Sequence, residues 1–337
     1  MKRPTIADVA RAAQVSPASV SRFLNGVEGN LAPATADRIA RVIQDLGYRP
    51  NAWARSLKTQ RSGLVAAVVA DLSNAYVPAV LEGVETTINK AGLSLLVGNA
   101  RNDPRQEDRL IERLIDQRVE GLLLQPCSIH VSPVLASVLE QQIPVVLLDR
   151  ILEGAESPLN LVALDNAAAL QQANDHLLGQ GYRQLLYVTE PTREASSRRE
   201  REAAVIENRK RWYAAEIFTY RDKRSTSLVR KIMQMRSTAI EEPLAILCSN
   251  SKTALFVVRS LSEAGVQVPQ DIGLMTIDDP EWAAYVFGGI TAIGQPTVEL
   301  GRQGAQSLLA QMSRGTEVRP RQVRLGGILK ARQSTSR

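Results

Sequence analysis

What this chain lacks narrows its chemistry before any motif is found. Aromatic residues make up 4% of the 337 positions, so a core must be built from Leu, Ile, Val and Ala, the residues that fill parallel strands covered on both faces. There are two cysteines and two histidines. Cys127 and Cys248 lack metal-ligand spacing and read as reduced, buried thiols of a cytoplasmic protein. His130 and His176 have no nucleophile partner in the sequence, and GxxxxGK[ST], HExxH, GxSxG and CxxC are missing, so no enzyme, metal site or cofactor is expected. No run of eighteen apolar residues occurs, and the start MKRPTIADVA has no apolar segment. Neither a membrane span nor an export signal is therefore expected.

What is present is unevenly distributed. Residues 1–61 hold ten Lys/Arg against four Asp/Glu, whereas the remainder holds 31 of each. The whole net charge of +6 thus sits at the N-terminal end, as expected of a part that meets a phosphate backbone.

That end carries a pattern of two short helices. In TIADVARAAQVSPASVSRFLNG (5–26), Thr5 and Asp8 form a capping-box-like start, and Ile6, Val9, Ala10 and Ala13 fall at helical spacing. Gln14-Val15 turns the chain. Ser16 caps a second helix, Pro17 takes its first position, and Val20, Phe23 and Leu24 pack back on the first. Pro17, Ala18, Ser21, Arg22 and Asn25 are left off the packed face. Such a helix suits a major groove; the bland alternative is a helical hairpin with a solvated arginine. A third helix opens at 35–38, carries Ile39, Val42, Ile43 and Leu46, and ends at Gly47.

This segment, followed by GYRPNAWARSLK (47–58), resembles the start of lactose-repressor/galactose-repressor (LacI/GalR) family regulators. The resemblance implies a helix-turn-helix domain over 1–49, and a hinge helix and linker over 50–61. It also implies a homodimer that binds palindromic operator DNA and responds to a small-molecule effector. In that reading Arg22 reads a base, Pro17 and Ala18 make smaller base-edge contacts, and Ser16, Ser21 and Asn25 hold phosphates. Leu57 wedges into a minor-groove step, and Thr5, Asn51, Arg55 and Lys58 complete the expected DNA contacts. A plain basic linker is the alternative for the hinge.

From Gly63 the periodicity changes to βαβ units. GLVAAVVAD, LSLLVGNA, VEGLLLQP and IPVVLLD read as strands, with helices at 77–90, 106–117 and from about Pro133. The pattern restarts with LVALD at 161–165, a helix at 167–178 and QLLYVTEP, and EIFTY, LAILCSN and DIGLMTID supply further strands. The fold class is α/β: a helical head, then two doubly wound parallel-sheet lobes of the periplasmic-binding-protein type. In the family the end crosses back. The first lobe would be 62–160 plus 294–321 and the second 161–293 plus 322–331, with a last strand near 323–329 and a frayed polar tail at 332–337. No tetramerising heptad tail is read, which favours a dimer.

In such sheets a ligand binds where strands end. Those ends carry Asp71, Ser73, Asn74, Asn99, Asp165 and Asn166, among others. The resemblance places effector contacts at Tyr76, Asp149, Arg150, Ser197, Arg201, Asn250 and Asp278. The carboxylates and Asn250 suit hydroxyls, Tyr76 a ring face, and the two arginines an anionic group. The expected effector is a sugar or sugar acid, and the chain is similar to regulators of gluconate or 2-ketogluconate use. Two departures from the family stand near this set: Ala204-Val205 where Gly-Phe is usual, and Ser251 where Asp is usual. Most charges of Arg198–Arg211 read as a solvated helix face, with one or two turned into the cleft. The rival reading is a solute-binding protein without a transcriptional role.

Overall fold

The computed structural model describes residues 4–24, 31–48, 61–154, 158–193, 195–221, 224–239, 241–314 and 320–337. It divides into two compact units, Met1–Ser62 and Gly63–Arg337.

The first unit contains α1 (Ile6–Ala12), α2 (Pro17–Leu24) and α3 (Pro33–Leu46), closed over Val9, Ala10, Ala13, Val20 and Ile39. The expected reciprocal cap is formed: the Asp8 amide donates to Thr5 Oγ1 at 3.3 Å, and the Thr5 amide to Asp8 Oδ2 at 2.9 Å. Both donors belong to a first turn that has no intrahelical acceptor for them. Gln14 turns the chain with a left-handed backbone (φ 51°), and Ser16 Oγ accepts from the Ser19 amide at 3.1 Å. One detail of α3 differs from the pattern. Leu46 is exposed, and Tyr48 packs on the cluster instead, because the left-handed Gly47 swings the chain back there.

The second unit runs β1 (Leu64–Val69), α4 (Tyr76–Lys90), β2 (Ser94–Asn99), α5 (Pro104–Asp116), β3 (Leu122–Leu124), α6 (Pro133–Glu140), β4 (Val145–Leu148), β5 (Asn160–Leu164), α7 (Asn166–Gly179) and β6 (Gln184–Thr189). It continues through α8 (Ser196–Glu207), β7 (Ala214–Thr219), α9 (Ser225–Thr238), β8 (Leu244–Cys248), α10 (Ser251–Glu263), β9 (Gly273–Ile277), β10 (Thr291–Gly294), α11 (Thr297–Arg314), β11 (Gln322–Leu325) and β12 (Ile328–Lys330). Two six-stranded sheets result, ordered β11-β5-β4-β3-β1-β2 and β12-β10-β9-β8-β6-β7. All pairings are parallel except β10 with β12. Every residue of β4, β5, β6, β8, β9 and β10 is buried, as strands covered by helices on both faces must be. α4 and α11 cover one face of the first sheet, α5 and α6 the other. In the second sheet α7 and α8 lie opposite α9 and α10.

Three readings are corrected. The strand at 160–164 does not open the second lobe; it pairs with β4 and β11 in the first sheet, because a buried apolar run is compatible with either sheet and hydrogen-bond partners decide. The stretch 323–329 is two strands, one in each sheet, separated by Gly326-Gly327. The end of the chain is docked, not frayed. Ser334 and Thr335 are buried: Ser334 Oγ donates to the Leu274 carbonyl and accepts from the Thr291 amide at 2.8 Å, and Thr335 Oγ1 lies 2.8 Å from His176 Nε2. Hydrogen bonding, not apolar burial, holds it, so no hydrophobic pattern announces it. Among the described residues no helix is long and apolar enough to cross a membrane.

Candidate functional site

Each lobe presents an aspartate directly after a buried strand, Asp149 after β4 and Asp278 after β9, with left-handed φ of 65° and 73°. Each amide donates to the neighbouring strand, Asp149 to the Val162 carbonyl at 2.9 Å and Asp278 to that of Ile293 at 3.0 Å. Asp tolerates this backbone better than most L-residues, yet it still costs free energy and persists where surroundings over-determine it. The two lobes therefore hold a strained carboxylate at corresponding places, and Tyr76, at the start of α4, lies in the field of both.

All seven residues expected at the effector site are buried, but they do not share one set of contacts. Asp149, Arg150 and Ser197 form a polar cluster, and Arg201 is bonded elsewhere. Ser197 Oγ donates to Asp149 Oδ2 at 3.4 Å, and Arg150 Nε stands 3.7 Å from the same oxygen. Arg150 Nη1 donates to the Pro126 carbonyl at 2.9 Å, while Arg201 donates to Asn166 Oδ1 at 2.7 Å and the Ser249 carbonyl at 2.6 Å. Tyr76 and Asp278 instead line a cavity of about 240 Å³ with Ala79, Ser251, Gln295 and Lys330. That is below the roughly 300–1,000 Å³ of drug-sized pockets and suits a small solute. Asn250 lines neither. It caps α10 by accepting from the Thr253 amide at 2.9 Å and donates to Glu190 Oε2 at 3.0 Å.

Three polar atoms of this region are buried without a hydrogen-bond partner among the described residues: Tyr76 Oη, Arg150 Nε and Gln295 Oε1. An unsatisfied buried donor or acceptor costs about 1–3 kcal/mol; Tyr76 and Gln295 line the cavity, and Arg150 does not. Burial, with the negative fields of Asp149 and Asp278, pushes the Tyr76 phenol well above its ordinary value; it therefore acts as a donor.

Sequence reasoning missed several members. Gln125 Nε2 donates to Asp149 Oδ2 at 3.0 Å, and Gln295 Nε2 donates to Asp278 Oδ1 at 2.5 Å. Both glutamines follow short buried strands, β3 and β10, where the apolar run is the signal and the polar residue after it the prize. Glu190 pairs with Arg198 at 2.8 Å, and burial lowers the Arg198 guanidinium against that partner's pull. Arg198 and Arg201 are thus the charges of the Arg198–Arg211 stretch that turn inward. Ala204 and Val205 pack in the second lobe's core. Ser251 donates from Oγ to Asn74 Oδ1 at 3.1 Å.

That last bond joins the lobes, and others accompany it. Lys252 Nζ pairs with Asp71 Oδ2 at 2.7 Å, and Ser196 Oγ accepts from the Ile151 amide at 2.8 Å. Arg324 of β11 meets Glu200 through two bonds of 2.9 Å, and Arg199 pairs with Glu153. Solute space is therefore enclosed by contacts that any opening of the lobes must break.

In the head, Thr5, Ser16, Pro17, Ala18 and Arg22 are exposed and Ser21 is half-buried, on the outward side of the α1–α2 pair. Asn25, Asn51, Arg55, Leu57 and Lys58 lie outside the described residues.

Known proteins agree with both units. Residues 5–51 match the family described as bacterial regulatory proteins, lacI family, and residues 174–335 match a periplasmic binding protein-like domain. The chain is 40% identical to the HTH-type transcriptional regulator PtxS of Pseudomonas plecoglossicida, over 99% of this chain and 96% of that protein. It is 33% identical to the HTH-type transcriptional regulator KdgR of Bacillus subtilis, over 91% of each. Among solved structures, the lac repressor dimer bound to operator and the anti-inducer ONPF shares the fold with a TM-score of 0.83 at 24% identity, covering 100% of both chains. A helix-turn-helix head joined to a two-lobed core, with relatives of that kind along its whole length, places the chain in the LacI family of bacterial transcriptional regulators.

Proposed function

We propose that the chain is a cytoplasmic, non-enzymatic repressor. It binds a palindromic operator as a homodimer through the α2 face and the 50–61 segment, and it is released when a small polyhydroxylated acid enters the cleft. A head of this size covers one half-site, so two-fold pairing is needed to read a palindrome. The observation that carries the effector class is the grouping of two donors, Tyr76 Oη and Arg150, whose charge acts on Tyr76, with one acceptor, Gln295 Oε1, where Tyr76 and Gln295 line the same cavity. A carboxylate supplies acceptors to the first two and a hydroxyl supplies a donor to the third. To release DNA the acid must bind one lobe arrangement more tightly than the other, since equal affinity shifts nothing.

Calorimetry on the purified protein with gluconate, 2-ketogluconate, fructose phosphates, ribose and galactose tests the ligand class. Gel shifts on its own promoter, with and without the ligand that binds, test the switch. Tight binding of a sugar acid that weakens the DNA complex is expected. Tight binding of a neutral sugar with none for any acid overturns the acidic-effector reading, and absence of any promoter complex favours a solute-binding protein.

A further inference from the structure

Beneath the cleft lies a buried carboxyl that no cleft contact described above uses. Glu107 stands in the first turn of α5, 6% exposed, and its Oε2 accepts from the Cys127 amide at 2.7 Å. Cys127 closes a three-residue segment that leaves β3, and each of the three is bonded to a different charged group. Gln125 Nε2 donates to Asp149 at 3.0 Å, the Pro126 carbonyl accepts from Arg150 Nη1 at 2.9 Å, and Cys127 donates to Glu107. The segment thus ties a buried acid in the helical layer to Asp149 and Arg150, two residues of the first lobe expected at the effector site.

We propose that Glu107 is a positioning residue that couples effector binding to proton uptake, acting on Arg150 through the Gln125–Cys127 segment and through its own charge. The proposal rests on the acidic-effector reading above.

The groups that face Glu107 fix the sign. Burial pushes its carboxyl up to about 7; the Cys127 amide and thiol and the Arg150 charge pull it down, and Asp108 on the same helix pushes it up. Asp103, at the N-cap of α5, acts on Cys127. Of the other elements of this layer, β1 and β2 carry no titratable residue, and α6 carries only Glu140 at its far end. His130 lies in the connection between β3 and α6. Arg150 is therefore the one cation acting on the ionised carboxyl among these. An effector carboxylate seated on Arg150 takes up that compensation and adds a second negative charge, so the complex favours protonated Glu107. Linkage then requires a proton to be taken up on binding, and affinity to fall as pH rises through about 7.

The test is calorimetry of the full-length protein with gluconate and 2-ketogluconate between pH 6 and 8, in buffers of differing ionisation enthalpy. Wild type, Glu107→Gln and Cys127→Ser are compared, with ribose and galactose as neutral probes. Wild type is expected to take up part of one proton near neutrality and to bind the acid several-fold more weakly at the alkaline end, at most tenfold per pH unit. Glu107→Gln, which keeps an acceptor for the Cys127 amide, is expected to bind without uptake and with a flat pH profile. Cys127→Ser keeps the carboxyl and is expected to keep the uptake. Acid binding by wild type with no proton uptake, or with uptake unchanged in Glu107→Gln, overturns this inference while the acidic-effector reading stands. Binding of neutral sugars alone overturns both.

Discussion

Arg22 stands exposed on α2 beside Pro17 and Ala18, and a guanidinium there can meet a guanine edge through two bonds. Arg22→Ala is expected to cost about 1–3 kcal/mol of operator affinity and to relax specificity at one base pair per half-site. Gel shifts on single-base operator variants check this; an equal loss on operator and random DNA would refute base reading. Glu107 makes a different prediction, about folding. Its folded pKa lies above the unfolded value, so the stability it contributes is full below about 4.5 and is lost as pH rises through about 7. Its share is on the order of 3 kcal/mol. His176, lowered by burial, works in the opposite direction, losing its share as pH falls below its ordinary value. The measurement is therefore the difference in thermal stability between wild type and Glu107→Gln across that range, which is expected to grow with pH. A constant difference would place the titration elsewhere. Asp149 and Asp278 were legible in the sequence because each ends an apolar run. Glu107 was not, since in PRQEDRLIERLID an acid beside Asp108 and Arg109 looks like one more solvated charge. Only the Cys127 amide that descends on it shows otherwise.

At the scale of elements, the contact between α4 and α11 depends on two glycines 218 positions apart. A Cβ at Gly83 would stand 2.0 Å from the Val298 carbonyl oxygen, and one at Gly301 would stand 1.9 Å from that of Val80. Backbone cannot yield as a side chain does, so Gly301→Ala is expected to cost at least about 3 kcal/mol, measured by urea unfolding. Gly179 makes the contrast. It ends α7 with nothing within 4 Å of its missing Cβ, and Gly179→Ala is expected to stabilise by about 0.5–1 kcal/mol. Equal effects at the two sites would mean that the α4–α11 approach relaxes freely. Strand and helix identities were readable because LVAAVV and LAILC can only be buried, and because Thr5 and Ser16 announce helix starts. Membership of a sheet was not, because NLVAL satisfies either lobe and TAIG is too short to stand out. The docked end escaped notice because QST is held by polar bonds to Leu274 and Thr291.

For the molecule as a whole, the charge division separates two binding events. The N-terminal 61 residues carry the entire net charge of +6, so operator affinity is expected to fall on the order of a thousandfold between about 50 and 200 mM salt, through release of phosphate counterions. Effector affinity, set inside an enclosed cleft, is expected to change far less over the same range. Parallel titrations by gel shift and calorimetry check this. A comparable salt slope for the effector would mean that it is held at the surface and not in the enclosed cleft.

The order in which the sheets are completed has a consequence for how the chain is made. The first sheet has its five leading strands in place by Leu164, yet α11, which shares the cover of one face with α4, begins at Thr297, and the sheet's edge strand β11 at Gln322. During synthesis the strands that form first therefore wait for segments translated more than a hundred residues later. At roughly 5–20 residues per second the interval from Leu164 to Thr297 lasts on the order of ten seconds. Through it the α4 face around Gly83 and the free edge of β5 are open to other chains. A ribosome-bound chain halted after Gly294 should leave the first sheet sensitive to brief proteolysis, while one halted far enough beyond the end for the whole chain to emerge should protect it. On this account the two lobes mature together, since their last strands end at Leu325 and Lys330, and neither matures first.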